Sequence, residues 1–141
     1  MIIDNISCTE IKPSPIHGLG LFATKAFGPG VELCRLDGQL MPYAVLVSSD
    51  LHQIVDPSTL EWNALPDDIV LLRPVRTKYS FINHSFTPNC MLMGSPPILW
   101  TYSEIAPGEE LLLDYTKERL PSAYLSGHGA SYLLRTANAF A

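Results

Sequence analysis

Positive charge is scarce in this sequence: 9 Lys and Arg stand against 14 Asp and Glu, a formal net charge of −5. A protein that coats nucleic acid needs clustered cations to neutralise phosphates, so direct nucleic-acid binding is not expected, and a basic peptide is the better-matched partner. Cysteine is equally sparse. Cys8, Cys34 and Cys90 are odd in number and widely spaced, which fits neither a secreted disulfide framework nor a paired-cysteine zinc site. Buried apolar thiols are the expectation. Long hydrophobic runs are also missing, since "IVLL" and "ELLL" fall far short of the roughly 20 residues of a membrane helix. The opening "MIIDNISCTE" has no basic flank and no small-residue cleavage site, so no export signal is expected. A cytoplasmic location is the default, with the nucleus open to a eukaryotic or viral chain.

What is present is enough apolar material for one core. A chain of 141 residues with 47% hydrophobic content is expected to form a single domain over 1–141. Turn residues punctuate it. In "IKPSPIHGLGLFATKAFGPGVELCRLDGQL" the pieces between Pro13, Pro15, Gly18, Gly20, Gly28, Pro29, Gly30 and Gly38 are strand-sized, and helical periodicity is weak. Residues 41–68 change character, with a strand-like "YAVLV" followed by a polar stretch of ambiguous period, and read as an irregular insert. "IVLLRPV" resumes as a strand, "CMLMGSPPILWTYSEI" as two strands around Pro96-Pro97, and "PGEELLLDY" as a turn leading into another strand. The tail "PSAYLSGHGASYLLRTANAF" is the best helix candidate, although Gly127 and Gly129 interrupt it. The fold class is therefore mainly β.

Three stretches carry the residues suited to chemistry. "HGLGLF", residues 17–22, has two glycines one residue apart, which allow a sharp turn and a close approach to a ligand. It lacks the third glycine and following helix of a dinucleotide site, and alone it reads as a β-turn. "FINHSFTPNC", residues 81–90, sets Asn83, His84, Asn89 and Cys90 around turn-forming positions, where an amide and an imidazole can both donate and accept hydrogen bonds. "PGEELLLDY" ends in Tyr115, a phenol near the end of an apolar strand that needs a hydrogen-bond partner when buried. Glu109 and Glu110 read as solvated or ion-paired strand-end carboxylates, and His128 between two glycines as a turn histidine. A Ser-His hydrolase built on His84 and Ser85 is disfavoured, because adjacent positions rarely present nucleophile and base to each other.

In this order, the three stretches resemble the SET-domain lysine methyltransferases. "GLGLFATKAFGPGVEL" is similar to that family's opening strand, turn and strand; "FINHSFTPNC" to its "NHSCxPNC" segment, with Phe86 in place of the first cysteine; and "EIAPGEELLLDY" to its "GEEL" strand ending in Asp-Tyr. The resemblance covers about Glu10 to Tyr115. It implies a β-clip fold of short sheets with a knot-like crossing, a core over 10–116 with the insert at 41–68, and a tail over 117–141 that forms a possible lid helix.

The resemblance also implies an activity: transfer of methyl groups from S-adenosylmethionine to the side-chain amine of lysine in a protein or peptide. His17, Gly18, Leu19 and Gly20 would cradle the cofactor, Asn83 and His84 would contact it, and Tyr115 would be the catalytic residue. No metal ligand is implied. Many relatives close the site with a zinc-binding cysteine-rich tail, but no cysteine follows Cys90 here, so a zinc-built lid is excluded on ligand count. An aromatic among Tyr124, Tyr132 and Phe140 would take over closure. Peptide capture by strand addition at an exposed edge, and a homodimer like that of the smallest viral relatives, are further expectations. The competing reading is a catalytically inert module that uses the same groove only to hold a peptide.

Overall fold

The computed structural model describes residues 2–54, 56 and 59–117. The expected tail helix, with Tyr124, Tyr132, His128 and Phe140, lies outside the described residues. Twelve short strands are described: β1 Ile2–Ile3, β2 Thr9–Pro13, β3 Leu19–Ala23, β4 Glu32–Arg35, β5 Gln39–Pro42, β6 Glu61–Leu65, β7 Ile69–Arg73, β8 Arg76–Thr77, β9 Asn83–His84, β10 Cys90–Met93, β11 Ile98–Thr101 and β12 Leu112–Leu113. Among the described residues, helix is confined to α1 Tyr43–Leu46, α2 Ser49–Ile54 and short 3-10 turns. The chain is mainly β, as its turn punctuation implies.

The strands assemble into five small sheets. β2 and β3 form an antiparallel hairpin with Lys12 opposite Gly20; β10, β11 and β4 form an antiparallel three-stranded sheet; and β5, β7 and β6 form another with β7 at its centre. Two parallel pairs, β1 with β8 and β12 with β9, complete the set. β7 explains the continuous apolar run "IVLL", because a central strand buries side chains on both faces. Leu71 points into the main core with Ile6, Leu21, Ile82, Leu99 and Leu111, whereas Val70 and Leu72 point the other way into a second cluster with Leu46.

The insert is more regular than its sequence suggests. "YAVLV" is not a strand but the single helical turn α1, because Tyr43 and Leu46 stand three residues apart and pack on the second cluster while Val45 and Val47 face outward. The polar stretch contains β6, joined to β7 by the hairpin turn Pro66–Asp68, where Asp67 and Asp68 adopt left-handed φ of 64° and 55°. The thiols also depart from expectation. Cys90 is buried and Cys34 half-buried, with desolvation pushing their pKa values up to about 12 and about 11, but Cys8 is exposed in a turn at φ 60°.

A buried ion pair ties the insert to the body. Arg73 Nε donates to Glu61 Oε2 at 2.7 Å, and both side chains are within 5% of complete burial. The remaining valences are filled: the guanidinium donates to the Asp37 carbonyl at 2.7 Å and to Asn63 Oδ1, while Glu61 accepts from the Thr77 amide at 2.8 Å and hydroxyl at 2.7 Å. Removing one member strands a charge in the interior, which costs about 3–5 kcal/mol. Glu61→Leu and Arg73→Met are each expected to lower stability on that scale in urea titrations, with the Glu61→Leu/Arg73→Met double variant losing clearly less than the sum of the two single losses. Additive losses would show that the pair is not coupled.

Candidate active site

The segment 81–90 owes its irregular appearance to a very short ladder. Asn83 and His84 pair in parallel with Leu112 and Leu113, and the ladder continues only through the Ser85 amide to the Leu113 carbonyl at 2.8 Å. The chain then turns away at Phe86–Pro88 and returns at Asn89. There the Asn89 side chain acts as a substitute strand, donating to the Glu110 carbonyl and accepting from the Leu112 amide, both at 2.8 Å. Asn89 is thus a structural staple. Ser85 is turned toward Thr87, its hydroxyl accepting from the Thr87 amide at 3.0 Å and meeting the Thr87 hydroxyl at 3.1 Å.

The register β9–β12 sets His84 against Tyr115. His84 is completely buried, and its Nδ1 accepts the Tyr115 backbone N–H at 2.9 Å. An accepting Nδ1 bears no proton, so the ring is neutral in this arrangement. Burial depresses its pKa, an effect only partly opposed by the Asp114 carboxylate 3.9 Å from Nδ1. The Phe86 ring meets His84 edge-on at 4.5 Å between centroids, and the Tyr115 ring lies at 5.4 Å. Tyr115 is not in the strand itself: β12 ends at Leu113, and Tyr115 opens a 3-10 turn over Tyr115–Lys117. Its hydroxyl donates to the Ile82 carbonyl, just before the Asn83-His84 pair. With its proton so engaged, the phenolic oxygen can act toward a ligand only as an acceptor.

Asn83 reaches the other glycine-containing turn. Its Nδ2 lies 3.1 Å from the His17 carbonyl, 3.2 Å from the Leu19 carbonyl and 2.9 Å from Glu110 Oε1. Gly18 sits between those carbonyls at φ 47°, a left-handed conformation that favours glycine, and a Cβ there would meet no atom within 4 Å. The space above the turn is open. Gly20, by contrast, is buried beneath Glu110. Glu110 is neither fully solvated nor ion-paired among the described residues: half-buried, it also accepts from the Ser14 hydroxyl at 3.0 Å. That corrects the expectation for Glu110. Glu109 does remain exposed, and its carboxylate accepts from the Ala106 amide of its own turn at 3.0 Å.

An apolar groove of about 610 Å³ adjoins His84 and Tyr115, lined among others by Phe86, Met91, Leu92, Tyr102, Leu113 and Asp114. All seven residues singled out from the sequence therefore fall on three adjoining segments: His17, Gly18, Leu19 and Gly20 on one turn, Asn83 and His84 beside it, and Tyr115 bonded to both Ile82 and His84. Sequence reasoning missed Ser14, the Ile82 carbonyl and the site-facing role of Glu110. Each acts through a long-range partner that local pattern does not reveal. Among the described residues, no group of three His, Cys, Asp or Glu side chains is arranged to hold a metal ion, and no helix is long and apolar enough to cross a membrane.

Comparison with known proteins bears on the same segments. The family model described as SET domain matches residues 18–116, which takes in the Gly18–Gly20 turn, the Asn83-His84 ladder and Tyr115. No curated protein matches the chain. The match covers well over half of the 141 residues and most of the arrangement just described, so the chain belongs to the SET-domain family.

Proposed function

We propose that this protein transfers methyl groups from S-adenosylmethionine to the side-chain amine of lysine in a protein substrate. The observation that carries the reading is Tyr115: its hydroxyl is oriented by the Ile82 carbonyl and its backbone by His84, beside an apolar groove and an open glycine turn. Membership of a family made up mostly of protein-lysine methyltransferases supports it.

The residues fit the implied cofactor. The open space over Gly18 and the turn held by Asn83 suit the polar end of the molecule, and the groove beside Phe86 and Leu113 suits a flat ring. Bound there, S-adenosylmethionine supplies a methyl group already activated by its sulfonium, so the protein's tasks are alignment and exclusion of water. A lysine amine must arrive neutral. Desolvation in an apolar channel lowers its pKa and favours loss of the proton. The Tyr115 oxygen, with its own proton held by Ile82, offers lone pairs that orient the amine and make weak CH···O contacts to the methyl. It works as an acceptor and not as a base. Of the exposed strand edges, β5 suits the substrate backbone: it is an outer strand of its sheet, and Leu40 on it is 64% exposed.

Two measurements test this reading. In calorimetric titrations, S-adenosylmethionine is expected to bind saturably to the full chain and to Tyr115→Phe alike, and to lose affinity in Asn83→Ala. Turnover on a lysine peptide is expected to fall on the order of 100-fold in Tyr115→Phe, the scale of removing one preorganised polar group. Unchanged turnover would refute the role of Tyr115, and the absence of any cofactor binding would favour an inert peptide-holding module.

The buried neutral His84 gives a pH signature. Its native pKa lies below the ordinary value of about 6.5, so as pH falls through that value the unfolded chain takes up a proton that the native state refuses. The stability that His84 contributes is complete above about pH 7 and declines as pH falls from about 6.5 toward the depressed native value. Denaturation midpoints measured from pH 8 to pH 5 are expected to drop in the parent chain. In His84→Asn the part of that drop between about pH 7 and 5.5 is expected to be reduced.

A further inference from the structure

The turn glycine, Gly18, and Gly20 in the strand that follows it serve different purposes. Gly18 meets a conformational requirement, with its φ of 47° and nothing within 4 Å of a built Cβ. Gly20 has no such backbone constraint; a Cβ there would stand 2.0 Å from Glu110 Oε1, 2.8 Å from Glu110 Cδ and 3.0 Å from Ser14 Cβ. Position 20 is therefore restricted by a carboxylate of the chain itself. Local pairing puts it there: the Leu111 amide donates to the Leu21 carbonyl at 2.8 Å, and Glu110 bridges Phe22 in antiparallel fashion, so the Glu110 side chain lies back across Gly20.

Glu110 joins both supports of the turn. Its Oε2 accepts from the Ser14 hydroxyl, and Ser14 closes the turn from one side: its Oγ accepts the Ile16 amide at 3.0 Å and its own amide donates to the Gly18 carbonyl at 2.8 Å. Oε1 accepts from Asn83 Nδ2, which holds the His17 and Leu19 carbonyls from the other side. Glu110 Oε1 gives the shortest of the three contacts to that amide nitrogen, 2.9 Å against 3.1 and 3.2 Å, so Glu110 helps fix which end of the Asn83 amide faces the turn. We infer that Glu110 is the positioning residue of the cofactor cradle, and that residue 20 is glycine to admit the Glu110 carboxylate instead of the cofactor. This rests on reading the Ser14–Leu19 turn as that cradle.

The inference is tested by a double-mutant cycle on S-adenosylmethionine affinity, measured by calorimetry on the full chain. Gly20→Ala displaces the carboxylate and Glu110→Ala removes it, so each is expected to weaken binding about tenfold, and the double variant no further than the weaker single. Glu110→Gln keeps an acceptor for Asn83 and a donor for Ser14 and is expected to stay within about threefold of the parent. If Glu110→Ala does not fold, Glu110→Asp, one methylene shorter, replaces it in the cycle. Turnover at saturating cofactor is expected to change far less than affinity in every variant. A Gly20→Ala penalty that persists undiminished without the Glu110 side chain would overturn the inference, since that is the outcome if the missing Cβ makes room for the cofactor. So would parent-like affinity in Glu110→Ala. If the parent chain binds no S-adenosylmethionine, the functional reading fails separately, and hydrogen exchange at the Ile16 amide decides the positioning role. Faster exchange in Gly20→Ala and Glu110→Ala but not in Glu110→Gln supports it, and uniform exchange overturns it.

Discussion

The candidate site depends on a parallel pairing of only two residues with two. Asn83 and His84 lie in register with Leu112 and Leu113, and that register places the His84 ring beneath the Tyr115 amide while Asn83 stays beside the Gly18–Gly20 turn. A slip of β9 by one residue would exchange its two faces relative to β12, turning His84 away and breaking the Nδ1 contact. So short a ladder has little stability of its own, and the structure reinforces it from both ends. Asn89 supplies strand-like hydrogen bonds through its side chain, and the Tyr115 hydroxyl fastens to Ile82 immediately before the ladder begins.

Polar burial around this ladder is arranged differently from that in the insert. Arg73 and Glu61 neutralise each other, so their burial is offset inside the pair and its four further hydrogen bonds. At the site Glu110 has no ion-pair partner among the described residues: it is held by the neutral donors of Ser14 and Asn83, and desolvation favours the uncharged form of His84. The first arrangement fixes the insert to the body. The second holds the Glu110 carboxylate, the His84 imidazole and the Tyr115 hydroxyl each in a fixed orientation through hydrogen bonds between neighbouring segments.

Much of this was legible in the residues and some was not. The β character followed from turn residues spaced at strand length, and "CMLMGSPPILW" forms the hairpin that its prolines imply. The seven candidate residues were singled out because three short motifs stood in order along the chain, and the structure sets those motifs side by side. "YAVLV" misled because four apolar residues in five fit a period of two or of three, and only the packing of Tyr43 and Leu46 on one cluster decides between them. Glu110 was misread for a different reason. A carboxylate beside Pro107-Gly108 looks solvated, and its actual partners, Ser14 and Asn83, stand 96 and 27 positions away in sequence.

Phe86 shows how one departure from a pattern can carry a physical role of its own. It stands where the "NHSCxPNC" pattern has a cysteine, and its ring lies perpendicular to the His84 ring at 4.5 Å between centroids while the residue stays 46% exposed. An aromatic edge there keeps water from the imidazole without offering it a hydrogen bond. That exclusion adds to the desolvation that lowers the His84 pKa, and the lowered pKa keeps Nδ1 available to the Tyr115 amide. Loss of a potential metal ligand at position 86 is thus accompanied by a gain in the dryness on which the His84–Tyr115 contact depends. Phe86 also lines the apolar groove and gives it an aromatic wall.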